Sequence, residues 1–153
     1  MGKPKFTDEE LKRRGAERVA AALKHFWEEK EDLNHHSRMF QYLFRDELYD
    51  LGPSVELQKA KDSGEVKKEY QEHIVPLVWM RDTADKMFKE NQTEKEVADM
   101  LECCFRIAWL TAEEAKQLNK INKTGMPTGW DWKTGKPEDR LEKAGIHLAG
   151  PST

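Results

Sequence analysis

Apolar residues recur at threes and fours along most of the chain, the spacing that lines one face of an α-helix. Leu11, Val19, Leu23, Phe26 and Trp27 mark the first such face and predict a helix running to about Leu33. Thr7-Asp8-Glu9-Glu10 opens it as a capping box, the Thr7 hydroxyl accepting from the Glu10 amide while the Glu10 carboxylate accepts from the Thr7 amide. Phe6 and Leu11 supply the matching hydrophobic staple, and Gly15 weakens the helix by about 1 kcal/mol relative to alanine. Met39, Phe40, Leu43, Phe44, Leu48 and Leu51 predict a second helix, capped by Ser37 or Asn34 and stopped by Gly52-Pro53. Leu77, Met80, Ala84, Met87 and Phe88 predict a third through Asn91, with Pro76 in its first turn, where the missing N–H costs nothing. Thr93-Glu94-Lys95-Glu96 and Thr111-Ala112-Glu113-Glu114 are two more capping boxes. The first opens a helix with Val97, Leu101 and Cys104 inward, the second a helix to about Ile121.

Some stretches break this period. Residues 54–69 read as a short charged helix or loop, with Ser63-Gly64 as a mobile connection. Residues 69–75 read as a short strand or extended entry. Residues 105–110 alternate and are bulky, which fits either a strand or a continuation of the preceding helix. From 122 to 153 the chain is a turn-rich, aromatic C-terminal extension with a short helix that starts at Pro137 or Glu138 and stops at Gly145. The expected fold is a compact, mainly α single domain over residues 1–153. It has five or six helices and at most one small two-stranded β element, built from residues 69–75 and 105–110.

Composition narrows the class. The 153 residues carry 26 basic and 29 acidic side chains, a net charge of -3, and are 37% apolar, which suits a polar surface around an ordinary core. No apolar run approaches the length of a membrane-spanning helix, and the N-terminus lacks a secretory apolar stretch. Cys103 and Cys104 are adjacent, lack the spacing of a zinc or redox motif and form no disulfide framework, so a reducing cytoplasm is the expected location. Cys104 reads as a core residue and Cys103 as a minor thiol candidate. Lys12, Arg13, Arg14 and Arg18 form a basic strip, but neighbouring acids make it a solvated face.

One stretch carries chemistry: Glu72-His73-Ile74-Val75-Pro76, an acid and a histidine at the end of a short strand, followed by proline. It resembles the first motif of the HNH (ββα-metal) nucleases, and Trp109 through Asn119 is similar to the strand and helix that close that motif. The resemblance implies a metal-dependent nucleic-acid hydrolase. In it Glu72 and Asn119 would hold Mg²⁺, His73 would deprotonate the attacking water, and Asn91 would orient His73. The chemistry suits these groups: a hard cation takes oxygen donors and offsets phosphate charge, and an imidazole titrates near neutrality. Ala115 stands where the closing pattern often has a histidine, so a degenerate, non-catalytic relative is the accompanying reading. His35 and His36 are supporting candidates, since paired histidines at a helix junction are either exposed cap residues or neighbours of the Glu72-His73 pair.

The second function class is a non-enzymatic helical protein-binding module, an inhibitor or assembly factor, using Met126, Trp130 and Trp132. The bland alternative is that these three side chains fold back and seal the core.

Overall fold

A computed structural model of the chain describes residues 2–3, 5–29, 37–65 and 68–150. Helix α1 (Asp8–Glu28) opens with the expected capping box: the Thr7 amide lies 2.7 Å from a Glu10 carboxylate oxygen and the Glu10 amide 3.2 Å from the Thr7 hydroxyl. It runs to Glu28 with Glu29 as its C-cap, and residues 30–33 of the expected helix lie outside the described residues. Two 3-10 segments follow, Ser37–Leu43 and Asp46–Leu48, then β1 (Asp50–Pro53) and α2 (Val55–Asp62). Next come β2 (Tyr70–His73), α3 (Leu77–Lys89), α4 (Glu94–Cys104), β3 (Ile107–Leu110), α5 (Ala112–Asn122) and α6 (Asp139–Lys143). The capping boxes at Thr93 and Thr111 both form, and Pro76 sits at the N-cap of α3. The fold is mainly helical, as expected, and no helix among the described residues is long and apolar enough to cross a membrane.

Of the two readings of residues 105–110 the strand is the one that forms, as β3. Two expectations are corrected. The sheet has three strands rather than two, in the order β1-β3-β2, with β2 antiparallel and β1 parallel to β3. The helix expected over Met39 to Leu51 is replaced by the two 3-10 segments and β1. Long-range pairing overrides the local period there. The Tyr49 carbonyl accepts from the Ile107 amide at 3.0 Å, and Trp109 bonds through its indole N–H to the Asp50 carboxylate at 2.9 Å. Gly52, at a φ of 85°, takes a left-handed conformation at the irregularity between Asp50 and Pro53. Residues 147–149 lie along the outer side of β1, with the Val55 amide on the His147 carbonyl and the Ala149 amide on the Pro53 carbonyl.

The sheet separates two apolar clusters. The larger one gathers Val19, Leu23, Phe44, Tyr49, Met80, Leu101, Phe105 and Ile107 from α1, α3, α4, the 3-10 region and β3. The smaller one joins Ile74, Ala108, Leu110 and Leu118 to Leu141, Ala144 and Ile146 of the C-terminal extension. Ile107 and Ala108 go to opposite clusters, as consecutive strand residues must.

Tyr49 explains the glycine in α1. Its hydroxyl donates to the Lys12 carbonyl at 2.8 Å, and a Cβ on Gly15 would lie 3.0 Å from the phenol oxygen. Burial pushes this phenol up from 10.0 to about 12. A group whose folded value is raised contributes stability below its unfolded value and loses it as pH climbs through the folded one. Stability is therefore expected to fall between about pH 10 and 12. Tyr49→Phe should flatten that slope in pH-dependent urea unfolding, and an unchanged slope would contradict the assignment.

Candidate functional site

The antiparallel pairing of β2 with β3 sets Glu72 opposite Ala108 and His73 opposite Ile107. Helix α5 begins two residues after β3 and packs against β2, so the two motifs read from the sequence do become neighbours in a strand–strand–helix unit. Successive strand side chains leave on opposite faces. Glu72 accordingly stands on the side of Ala108 and the smaller cluster, and His73 on the side of Ile107 and the larger one.

Glu72 meets an arginine that no motif in the sequence marks. The Arg140 guanidinium, from α6, is fully buried, and its Nη1 donates to a Glu72 carboxylate oxygen at 3.0 Å. The same Nη1 donates to the carbonyls of His73 (3.2 Å) and Ile74 (3.0 Å). Nε and Nη2 both donate to the Asn122 carbonyl, at 2.9 and 2.6 Å, and Nη2 reaches the Lys123 carbonyl at 3.2 Å. Burial pulls this guanidinium below its ordinary value, and the charge of Glu72 opposes that pull. Five oxygens from two stretches of chain thus surround one cation, and the C-terminal extension is tied to both β2 and the end of α5.

On the other face the His73 ring lies 5.5 Å from that of Phe105, which stacks on Phe44 at 3.8 Å and meets Tyr49 edge-on at 4.9 Å. Asn119 is exposed on α5, one position past the inward-facing Leu118. Asn91 ends α3 in a left-handed turn (φ 65°), its amide donating to the Phe88 carbonyl. The thirteen residues of α3 span about 20 Å, so Asn91 lies at the far end of that helix from His73. His35 and His36 lie outside the described residues.

The expected metal group is therefore not brought together. Glu72 and His73 occupy different faces, Asn119 points to solvent, and the one carboxylate of the set already faces a buried cation. A divalent ion on Glu72 would set a second positive charge beside Arg140 in a poorly solvated place, so these residues do not fit Mg²⁺. Among the described residues no three His, Cys, Asp or Glu side chains are grouped to hold a metal ion.

The aromatic segment seals the fold, so Met126, Trp130 and Trp132 do not stand out as an exposed patch. Met126 is buried, Trp130 meets Trp79 edge-on at 5.2 Å, and Trp132 packs against the larger cluster. The Trp130 indole N–H donates to the Lys136 carbonyl and the Asp139 carboxylate, and any Cβ at Gly135 would strike it. The basic strip is largely engaged as well: Arg13 bonds to Asp99 and Glu102, Arg18 to the Leu43 carbonyl, and Arg14 lies over the Phe6 ring. Burial pushes both cysteine thiols up, away from a reactive thiolate.

Surface depressions remain, and one of about 450 Å³ at the turn between α3 and α4 is lined by Lys24, Trp27, Phe88, Asn91 and Thr93. A depression of about 480 Å³ beside β2 is lined by Tyr42, Phe44, Arg45, Glu47 and Gln71. Tyr42 is 82% exposed there, the most exposed large apolar side chain among the described residues, with Leu43 next to it. No family model, curated protein or solved structure matches this chain.

Proposed function

We propose that this protein acts by binding another protein, on a degenerate, non-catalytic strand–strand–helix scaffold of the HNH type. The observation that carries this reading is the pairing of Glu72 with the buried Arg140, on the sheet face opposite His73. An acid held by an internal guanidinium holds the fold together, and it leaves the histidine no carboxylate-bound cation to work with. The adjacency of β2, β3 and α5 supports the scaffold half of the reading. The exposed Tyr42 and Leu43 support the binding half, since solvated aromatic side chains beside a depression are the usual anchors of protein interfaces.

Two assays test it together. Plasmid and RNA incubated with Mg²⁺ or Mn²⁺ should remain intact, and His73→Ala should behave as the unaltered chain does. Affinity capture followed by size-exclusion chromatography should yield a stoichiometric complex with one protein. That complex should be lost in Tyr42→Ala and kept in Trp132→Ala. Metal-dependent cleavage that disappears in His73→Ala would overturn the reading. So would a complex indifferent to Tyr42 but dependent on Trp132, which would return the interface to the aromatic extension.

A further inference from the structure

Arg140 stands out as a charge placed where charges are costly. A fully buried cation persists only where oxygens offset the loss of water, and here each of its three nitrogens has a partner. Those oxygens all belong to elements other than α6. The Asn122 and Lys123 carbonyls belong to the last turn of α5, where no intrahelical amide follows to bond them and the helix dipole is negative. The His73 and Ile74 carbonyls lie where the chain leaves β2 for α3. Glu72 adds the full negative charge.

We propose that these five oxygens form a guanidinium-binding cradle, with the chain's own Arg140 as its resident ligand, and that this ligand fastens residues 138–149 to the sheet. The partners suit a planar fork. Nε and Nη2 share one carbonyl on one side, while Nη1 takes the carboxylate and two carbonyls on the other. The donor–acceptor distances run from 2.6 to 3.2 Å around a group of several atoms, far too wide a shell for a bare Mg²⁺. Helix α6 has five residues and cannot hold its own shape, so its position depends on what it docks against. Besides Arg140, that docking rests on Leu141, Ala144 and Ile146 and on the Gln117 side-chain amide, which donates to the Ala144 carbonyl at 2.6 Å, while residues 147–149 are paired with 53–55 through the backbone.

Hydrogen exchange on the full chain tests the cradle, with Arg140→Ala as the variant and guanidinium chloride as the probe. Amides of residues 138–149 should exchange on the order of 10-fold faster in the variant, while those of α1 and α4 keep their protection. About 20 mM guanidinium should slow that exchange at least about 3-fold, where equal NaCl or MgCl₂ does not. In the unaltered chain the same guanidinium should slow nothing, because the cradle is filled. Arg140→Lys supplies charge without the fork and should open the segment to an intermediate degree. If Arg140→Ala folds poorly, its refolding yield in guanidinium against NaCl reads the same binding. Unchanged exchange, rescue equal in NaCl, or rescue by Mg²⁺ would each overturn the proposal.

Discussion

Glu72→Ala is expected to lower the thermal unfolding midpoint by about 6–10 °C. Removing one member of a buried ion pair leaves the other charged and unpaired, at a cost of about 3–5 kcal/mol, and 1 kcal/mol moves the midpoint of a domain this size by about 2–4 °C. The lower part of that range applies because the Glu72 side chain keeps 22% of its surface in water, whereas Arg140 has none. Glu72→Gln preserves an acceptor for Nη1 and loses the charge, so it should fall between. A role as metal ligand makes the reverse forecast. Solvated metal-site carboxylates repel their neighbours in the apo protein, so their removal is neutral or stabilising. Circular dichroism melts of the three chains, with and without Mn²⁺, separate the two accounts.

Phe105→Ala is the other large effect expected, a loss of about 3–5 kcal/mol or about 10–15 °C. Phe105 is fully buried and follows α4 directly, where it turns the chain into β3. Its ring is shared by Phe44, Tyr49 and His73, so truncation leaves a void between the 3-10 region, α4 and the sheet. Phe105→Leu fills most of that void and should recover about half of the loss. A near-ultraviolet spectrum that weakens in Phe105→Ala but not in Phe105→Leu would accompany this. Equal midpoints for the two variants would show that the ring stack contributes little.

What was legible in the sequence was local. The capping boxes at Thr7, Thr93 and Thr111 need only four consecutive residues each, and all three formed. The third strand was not legible, because Leu48 and Leu51 keep helical spacing and Gly52-Pro53 reads as a helix stop. Pairing with β3, more than fifty residues away, makes that stretch extended. Arg140 was hidden for the same reason. Asp-Arg-Leu-Glu-Lys is the composition of a surface helix, and its acceptors lie in two distant stretches of chain. The division between Glu72 and His73, by contrast, follows from strand geometry alone. Once residues 69–75 are read as extended, their side chains must part to opposite faces.

A double-mutant cycle on Glu72 and Arg140, read by urea unfolding, tests most directly whether the acid of the motif serves the fold. Glu72→Gln, Arg140→Met and the double variant should give a coupling of about 1.5 kcal/mol or more, with the double variant more stable than the sum of its parts implies. Additivity within about 0.5 kcal/mol, together with Mn²⁺ binding that vanishes in Glu72→Gln, would contradict the account.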